Sequence, residues 1–440
     1  MTVADAVSWL NLTYLGIRIT KNPMAYNFLL KEVKGFSKSD ILQQMVEEAL
    51  DKLNKFKLIR FIKNVGSVHS TELGRIASKY YMSYQSIAAF NEKLKEDMYD
   101  EELLNIFAQS EEFASLKEYP DEKKELESLA SSFDMLGKGL NAEKLSKPII
   151  LLQTYLRGFY EFRTSSLHMD CAYIVDNSSR IMRAILEIAL HRHLVKTTHL
   201  ALNYVKLVER RVYPGSTPLW QFTFESNKQS QSKTSSGRMY DNSETYLSAD
   251  LCRKIDQCSL SFNDILSEDK KVLSEILTTS VERVKDIYNY ASCLPSFKIN
   301  VEAKPITRTI LNITISLVPK FKWKKRWNHL SEPLWIIVDD GKEIIHYEYY
   351  ILAARNEEKK EKETVITFSV PFQIEVGAKE ASIDKIYSIN IISDRWVGIE
   401  FSHHIYLNEI EVPQDQDVHT ELLDLYPIPL SALGNEDYEK

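Results

Sequence analysis

The spacing of apolar residues is mostly helical before Pro295, one short hairpin apart, and alternates after it. A first helix runs through Ala4–Ile19 and stops before Asn22-Pro23, because proline disfavours helical geometry in its predecessor. Asp40 is placed to cap a second, whose Ile41, Leu42, Met45, Val46, Ala49, Leu50 and Leu53 share one face. Leu58–Ile62 and Ser67–Ser70 flank Asn64-Val65-Gly66 as a short hairpin, and Ser70 or Thr71 starts a helix over Glu72–Tyr81. Helix, helix, hairpin and closing helix is the outline of a winged helix over residues 1–92.

Residues 93–222 read as a helical bundle, with segments at Glu101–Ser110, Asp121–Phe133, Ile149–Tyr155, Ala172–Leu190 and Leu200–Arg211. Gly137-Lys138-Gly139 interrupts it, and Pro214, Gly215 and Pro218 close it. Residues 223–248 form a polar surface loop in which Ser, Gln, Asn, Thr and Lys dominate from Thr223 to Thr245. Short helical patterns at Leu251–Cys258, Phe262–Leu266, Lys270–Thr278 and Ser280–Tyr290 make a small helix-loop-helix unit over 249–294. Seven alternating or β-branched segments then fill 295–412 and predict an immunoglobulin-like sandwich. Arg355–Glu363 is a charged loop between two of them, and 413–440 reads as an extended link to whatever follows. The expected fold class is multidomain, mainly α, with a C-terminal all-β sandwich.

One helix carries the candidate chemistry. At 100° per residue, Ile174, Ile181, Ile185 and Ile188 share a face that Val175, Met182, Leu186 and Ala189 widen. Tyr173, Asp176, Arg180, Arg183, Glu187 and His191 gather on the opposite stripe. Such a stripe is a solvated bundle face in most proteins. Two arginines, a tyrosine and a histidine in line can equally follow a phosphate backbone and stack on bases.

Composition narrows the partners. A net charge of −7 over 440 residues argues against a generally basic nucleic-acid binder, so any such contact needs a local basic stripe. No apolar run approaches eighteen residues, and the first residues lack a secretory pattern. The four cysteines, Cys171, Cys252, Cys258 and Cys293, form no metal spacing and read as free, mostly buried thiols. His403-His404 point to opposite faces of a strand, poor geometry for one metal. No phosphate loop, Asp-Glu-x-His box, nucleophile elbow or His-Glu-x-x-His helix occurs, so neither a catalytic nor a metal site is expected in this chain. Phe321-Lys-Trp-Lys-Lys-Arg-Trp327 is a second basic run, read as a sandwich loop with a packed tryptophan or, through Lys322, Lys324, Lys325 and Arg326, as a nucleic-acid patch.

Several strings, in order, resemble the large Ski/Brr-type superfamily-two helicases. They are Ser70-Thr-Glu-Leu-Gly-Arg-Ile-Ala-Ser-Lys-Tyr-Tyr81, Asn177-Ser-Ser-Arg-Ile-Met-Arg-Ala-Ile-Leu-Glu-Ile-Ala-Leu190, Lys304-Pro-Ile-Thr-Arg-Thr309, Ser393-Asp-Arg-Trp396 and the stretch from Glu421 to Leu433. Leu151–Tyr155, Glu111–Phe113 and Ala432–Gly434 lean towards the cointegrator-complex branch rather than the spliceosomal one, and Leu422-Leu-Asp-Leu-Tyr-Pro-Ile-Pro429 resembles the junction from a first, N-terminal cassette to a second. The resemblance implies a winged helix plus Sec-63 unit with a ratchet helix and a fibronectin-III-like sandwich. It implies no enzyme in this chain alone, with ATP and Mg bound in separate RecA-like domains. Implied partners are single-stranded DNA or RNA, those RecA-like domains, a second helicase cassette and cointegrator-complex subunits, in the nucleus or cytosol and away from membranes. Strand contact is expected from Asn177, Arg180 and Arg183, with Tyr173 and His191 on the same stripe and Glu187 orienting an arginine. The family often carries a Trp soon after this helix, where this chain has His191-Arg-His-Leu194; Tyr426 stands in place of a Gln.

Overall fold

The computed structural model describes residues 2–22, 38–132, 145–158, 162–223, 246–258, 267–354, 363–372 and 386–411, together with Ala25 and Ile265. The glycine break at 137–139, the polar loop from residue 224 to 245, most of Phe262–Leu266, nearly all of Arg355–Glu363 and the tail beyond residue 412 lie outside them.

The first predicted helix is two helices, α1 (Val3–Asn11) and α2 (Tyr14–Lys21). Thr13 breaks it: its hydroxyl donates to the Leu10 carbonyl (2.7 Å) and accepts from the Gly16 amide (3.3 Å), ending one helix and capping the next. Asp40 lies inside the first turn of α3 (Lys38–Lys55) rather than at its cap. The hairpin β1 (Ile59–Ile62) and β2 (Ser67–Ser70) pairs Ile59 with Ser70 and Ile62 with Ser67, and Lys63 at its tip is tied to Asp51 at 2.8 Å. Thr71 caps α4 (Glu72–Lys79) and also donates to the Leu58 carbonyl (2.7 Å). The helix approaches β1 so closely that a Cβ on Gly74 would stand 2.1 Å from the Leu58 oxygen, so only glycine fits.

Next come α5 (Tyr84–Lys93), α6 (Asp100–Ala108), α7 (Lys123–Ser132), α8 (Lys147–Arg157), α9 (Ser165–His191) and α10 (Val195–Arg210). Shorter helices α11 (Ala249–Gln257), α12 (Lys270–Ile276) and α13 (Val281–Ala291) precede the sheets. Seven antiparallel strands follow among the described residues. β3 (Phe297–Pro305), β4 (Ile310–Pro319) and β7 (Thr364–Pro371) form one sheet. β6 (Ile344–Ala353), β5 (Ser331–Asp339), β8 (Ile386–Ser393) and β9 (Glu400–Tyr406), in that spatial order, form the other. Ile313, Ile315 and Leu317 from one sheet and Leu334, Ile336, Val338, Ile389 and Ile391 from the other fill a shared core.

At 27 residues, about 40 Å, α9 is the axis of the helical part. Ile174, Ile181, Ile185 and Ile188 are fully buried, each side chain contributing about 1.5–3 kcal/mol. Their core runs on into Ile337, Ile344, Ile392 and Val397, so the four-stranded sheet packs its outer face on the bundle. The turn after α9 joins that sheet directly: the Ile344 amide donates to the His193 carbonyl (3.1 Å), and His193 Nδ1 lies 2.6 Å from the Ile344 carbonyl. This docking fixes where the loop after β8 meets the exposed edge of α9.

Candidate nucleic-acid interface

With its broad face buried, α9 keeps one polar edge near solvent. Tyr173 is 42% exposed there, and its hydroxyl donates to the Glu112 carbonyl at 3.1 Å. One turn on, Asn177 Nδ2 donates to the Tyr173 carbonyl (2.7 Å), while Asn177 Oδ1 accepts from Arg180 Nε (2.9 Å) and Nη2 (2.6 Å). Arg180 Nη1 reaches across to the carbonyls of Tyr80 (3.1 Å) and Tyr81 (2.7 Å), just beyond α4. Tyr173, Asn177 and Arg180 thus form a linked polar rail, positioned by ordinary helical spacing and bordered by Tyr81, which is 87% exposed.

Arg183 stands apart from that rail. Its Nε and Nη2 donate to Glu209 on α10 (2.8 and 3.1 Å), and its Nη1 and Nη2 donate to Asp394 after β8 (both 3.2 Å). Trp335 Nε1 (2.9 Å) and the Tyr349 hydroxyl (3.3 Å) complete the shell of Asp394. Burial works against the guanidinium charge, but Glu209 and Asp394 outweigh it and raise the Arg183 pKa. Arg183, expected to meet a phosphate or a base face, has two carboxylates around its donors and braces three elements. The expected role of Glu187 is corrected. It accepts from Lys79 and from the Tyr80 hydroxyl (2.6 Å), not from an arginine. Burial first, and then Glu187, pushes the Tyr80 phenol far up, and burial with Asp394 pushes Tyr349 up to about 12. Both phenols stay neutral donors.

His191 lies exposed in the last turn of α9, away from the rail. The second basic run is anchored by its aromatic residues. Trp327 is buried against Phe222, Tyr246 and Tyr290, Trp323 Nε1 donates to the His329 carbonyl (3.0 Å), and Arg326 lies over the Tyr246 ring. Lys322 and Lys325 are exposed, whereas Lys324 and Arg326 are half-buried. Residues not anticipated at this edge are Lys79, Tyr80, Tyr81, Glu209, Tyr349 and Asp394. The strings around Tyr80-Tyr81 and Asp394 carried the family likeness, yet nothing local in them pointed at α9. Among the described residues no three His, Cys, Asp or Glu side chains gather as a metal site, and the cysteines are free.

From the end of β2 to the end of β9, residues 70–406 match the Sec63 Brl domain. The chain belongs to the Sec63 Brl domain family. It is 32% identical, over 99% of its length, to the DExH-box ATP-dependent RNA helicase DExH14 of Arabidopsis thaliana. Similar matches, also over 99% of the chain, are the human U5 small nuclear ribonucleoprotein 200 kDa helicase at 30% and the bovine activating signal cointegrator 1 complex subunit 3 at 31%. The chain spans 19% of the length of each of these relatives. The matched Sec63 Brl domain contains α9, its polar rail and the Arg183 brace. No helix among the described residues is long and apolar enough to cross a membrane.

Proposed function

We propose that this Sec63 Brl domain is the non-catalytic part of a 3′–5′ ATP-dependent nucleic-acid helicase and guides single-stranded DNA or RNA along α9. ATP and Mg would be bound by RecA-like domains of the same polypeptide, and a second cassette and cointegrator-complex subunits would be its protein partners in the nucleus. In this reading residues 1–92 are a winged helix, α9 is a ratchet helix and the paired sheets are a fibronectin-III-like unit. The observation that carries it is the rail: a helix locked on one broad face presents Tyr173, Asn177 and Arg180 at fixed spacing along one polar edge. Arg180→Ala in the full-length helicase is expected to weaken single-strand binding by about fivefold to tenfold, from a contribution of about 1 kcal/mol or more. Unwinding should slow with it. Unchanged values for both would sink the strand path.

A second reading, a scaffold that docks the rest of the polypeptide or other subunits, is favoured by one feature. Trp9, Leu12 and Tyr14 are 66%, 85% and 74% exposed on α1, α2 and the turn between them, more apolar surface than a solvated face needs. A pull-down of the chain against the second cassette and complex partners separates the two. Capture of neither, alongside retained single-strand binding, would leave the scaffold without support.

A further inference from the structure

The turn that ends α4 contains a side chain that the fold itself does not use. Helices commonly stop on a left-handed residue, which is glycine or asparagine in most cases because a Cβ is strained there. Here the position is Tyr81, with φ of 52°. Its neighbours are put to work: the Tyr80 hydroxyl bonds Glu187, and Met82 is buried. The Tyr81 ring is 87% exposed, and its hydroxyl has no hydrogen-bond partner among the described residues. Positive φ recurs at Lys57, His193, Arg211, Thr278 and His329. His193 and Arg211 spend their side chains inside the fold, on the Ile344 and Tyr155 carbonyls, whereas Lys57 is exposed like Tyr81 but carries a flexible chain in place of a flat ring. A bulky residue kept in a strained conformation, with nothing gained inside the fold, points to use outside it.

We infer that Tyr81 is a base-stacking platform for the single strand lying along α9, and that Arg180 is its positioning residue. The Arg180 guanidinium accounts for the placement. Nη1 donates to the carbonyls of Tyr80 and Tyr81 while Nε and Nη2 hold Asn177, so the strained turn is fastened to the rail. Arg180 therefore acts through Tyr81 rather than by gripping a phosphate with a free fork. The partner is a single strand because only unpaired bases offer a free face, and a flat exposed ring accepts any of them. Tyr173, seven residues before Arg180 on the same edge and also exposed, stands about 10 Å along the axis. Two rings would then border the same path.

This inference rests on the strand path proposed above, and the test separates the two. The full-length helicase is titrated with a single strand carrying 2-aminopurine, following both affinity and quenching of the base. Tyr81→Phe is expected to match the wild type, and Tyr81→Ala to bind about tenfold or more weakly with the quenching lost. Tyr81→Gly is the decisive variant: it relieves the left-handed strain, so its melting temperature should hold or rise while strand affinity falls as in Tyr81→Ala. A merely structural tyrosine would not separate the two readouts. If Tyr81→Ala binds and quenches like the wild type while Arg180→Ala is impaired, the platform is overturned and the strand path stands. If the wild type itself does not bind strand along α9, both fall.

Discussion

Replacing Lys147 with alanine is expected to destabilise the helical part by about 3–5 kcal/mol, the range for stranding buried charge partners. Lys147 opens α8 but points inward, only 2% exposed. Its Nζ lies 2.6 Å from both Glu122 and Asp170 and donates to the Lys117 carbonyl at 3.0 Å, with the Tyr119 ring alongside. Glu122 is fully buried and also accepts from Ser166 on α9. One ammonium therefore ties the segment before α7, the start of α8 and the first turns of α9. Without it, the Glu122 carboxylate keeps its desolvation cost and loses its main counter-charge. A drop in the calorimetric transition, with faster amide exchange in α8, would show this; an unchanged transition would mean water or a rearranged partner replaces the ammonium. Lys147→Met combined with Glu122→Leu should recover much of the loss, because removing both charges avoids the stranded one. The acid limb provides a second check. Burial pushes the Glu122 carboxyl up, but hydrogen bonds from Lys147, Ser166 and the Tyr119 amide together hold its pKa below the ordinary 4.5. A depressed folded pKa adds stability that is fully present above 4.5 and is lost as pH falls through the lower folded value. The wild type should show that loss, and Lys147→Ala should show a flatter limb over the same window.

Lys147 also shows where reading the sequence stops. The apolar face of α9 was visible because Ile174, Ile181, Ile185 and Ile188 are fixed by a period of a few residues. The alternation after Pro295 was visible for the same reason, since strand patterning is local. The break at Thr13 was not, because a threonine within an apolar run is compatible with either a continuous helix or a cap, and only its hydrogen bonds decide. Charge partners were the least legible. Lys147 meets an acid 25 residues earlier, whereas Arg183 meets one 26 residues later and another 211 residues away. No periodicity links such positions, so a basic stripe looks free although both its arginines are engaged within the fold. Asn177 and Arg180 are a single turn apart, so their pairing follows from helical spacing, although the stripe read from the sequence left Asn177 out. That their guanidinium grips the turn at Tyr81 depends on how α4 packs against α9, and no local pattern encodes that packing.

Arg183→Ala should lower stability by about 2–4 kcal/mol, somewhat less than Lys147→Ala because the arginine side chain is 25% exposed and partly screened. The substitution leaves Glu209 facing Asp394, and Asp394 is only 6% exposed, so one carboxylate keeps its burial while losing its cation. Arg183→Lys is not expected to rescue it, since a lysine cannot bridge two carboxylates with a planar fork. A double-mutant cycle with Asp394→Asn should give a coupling above 1 kcal/mol; independent effects would mean the clamp contributes little. Strand binding then tells brace from contact. If Arg183 gripped a phosphate, Arg183→Ala would reduce the slope of log affinity against log salt by about 0.7, the share of one phosphate on a single strand. If it braces, the melting temperature falls while affinity and slope, measured well below the transition, stay close to wild type. The brace is compatible with the proposed strand path. It fixes the loop after β8, α9 and α10 relative to one another, so the rail that begins at Tyr173 would keep its line under a moving strand. A helix that guided a moving polymer, as proposed for α9, would itself need holding from several sides, and Arg183, Glu209 and Asp394 hold it.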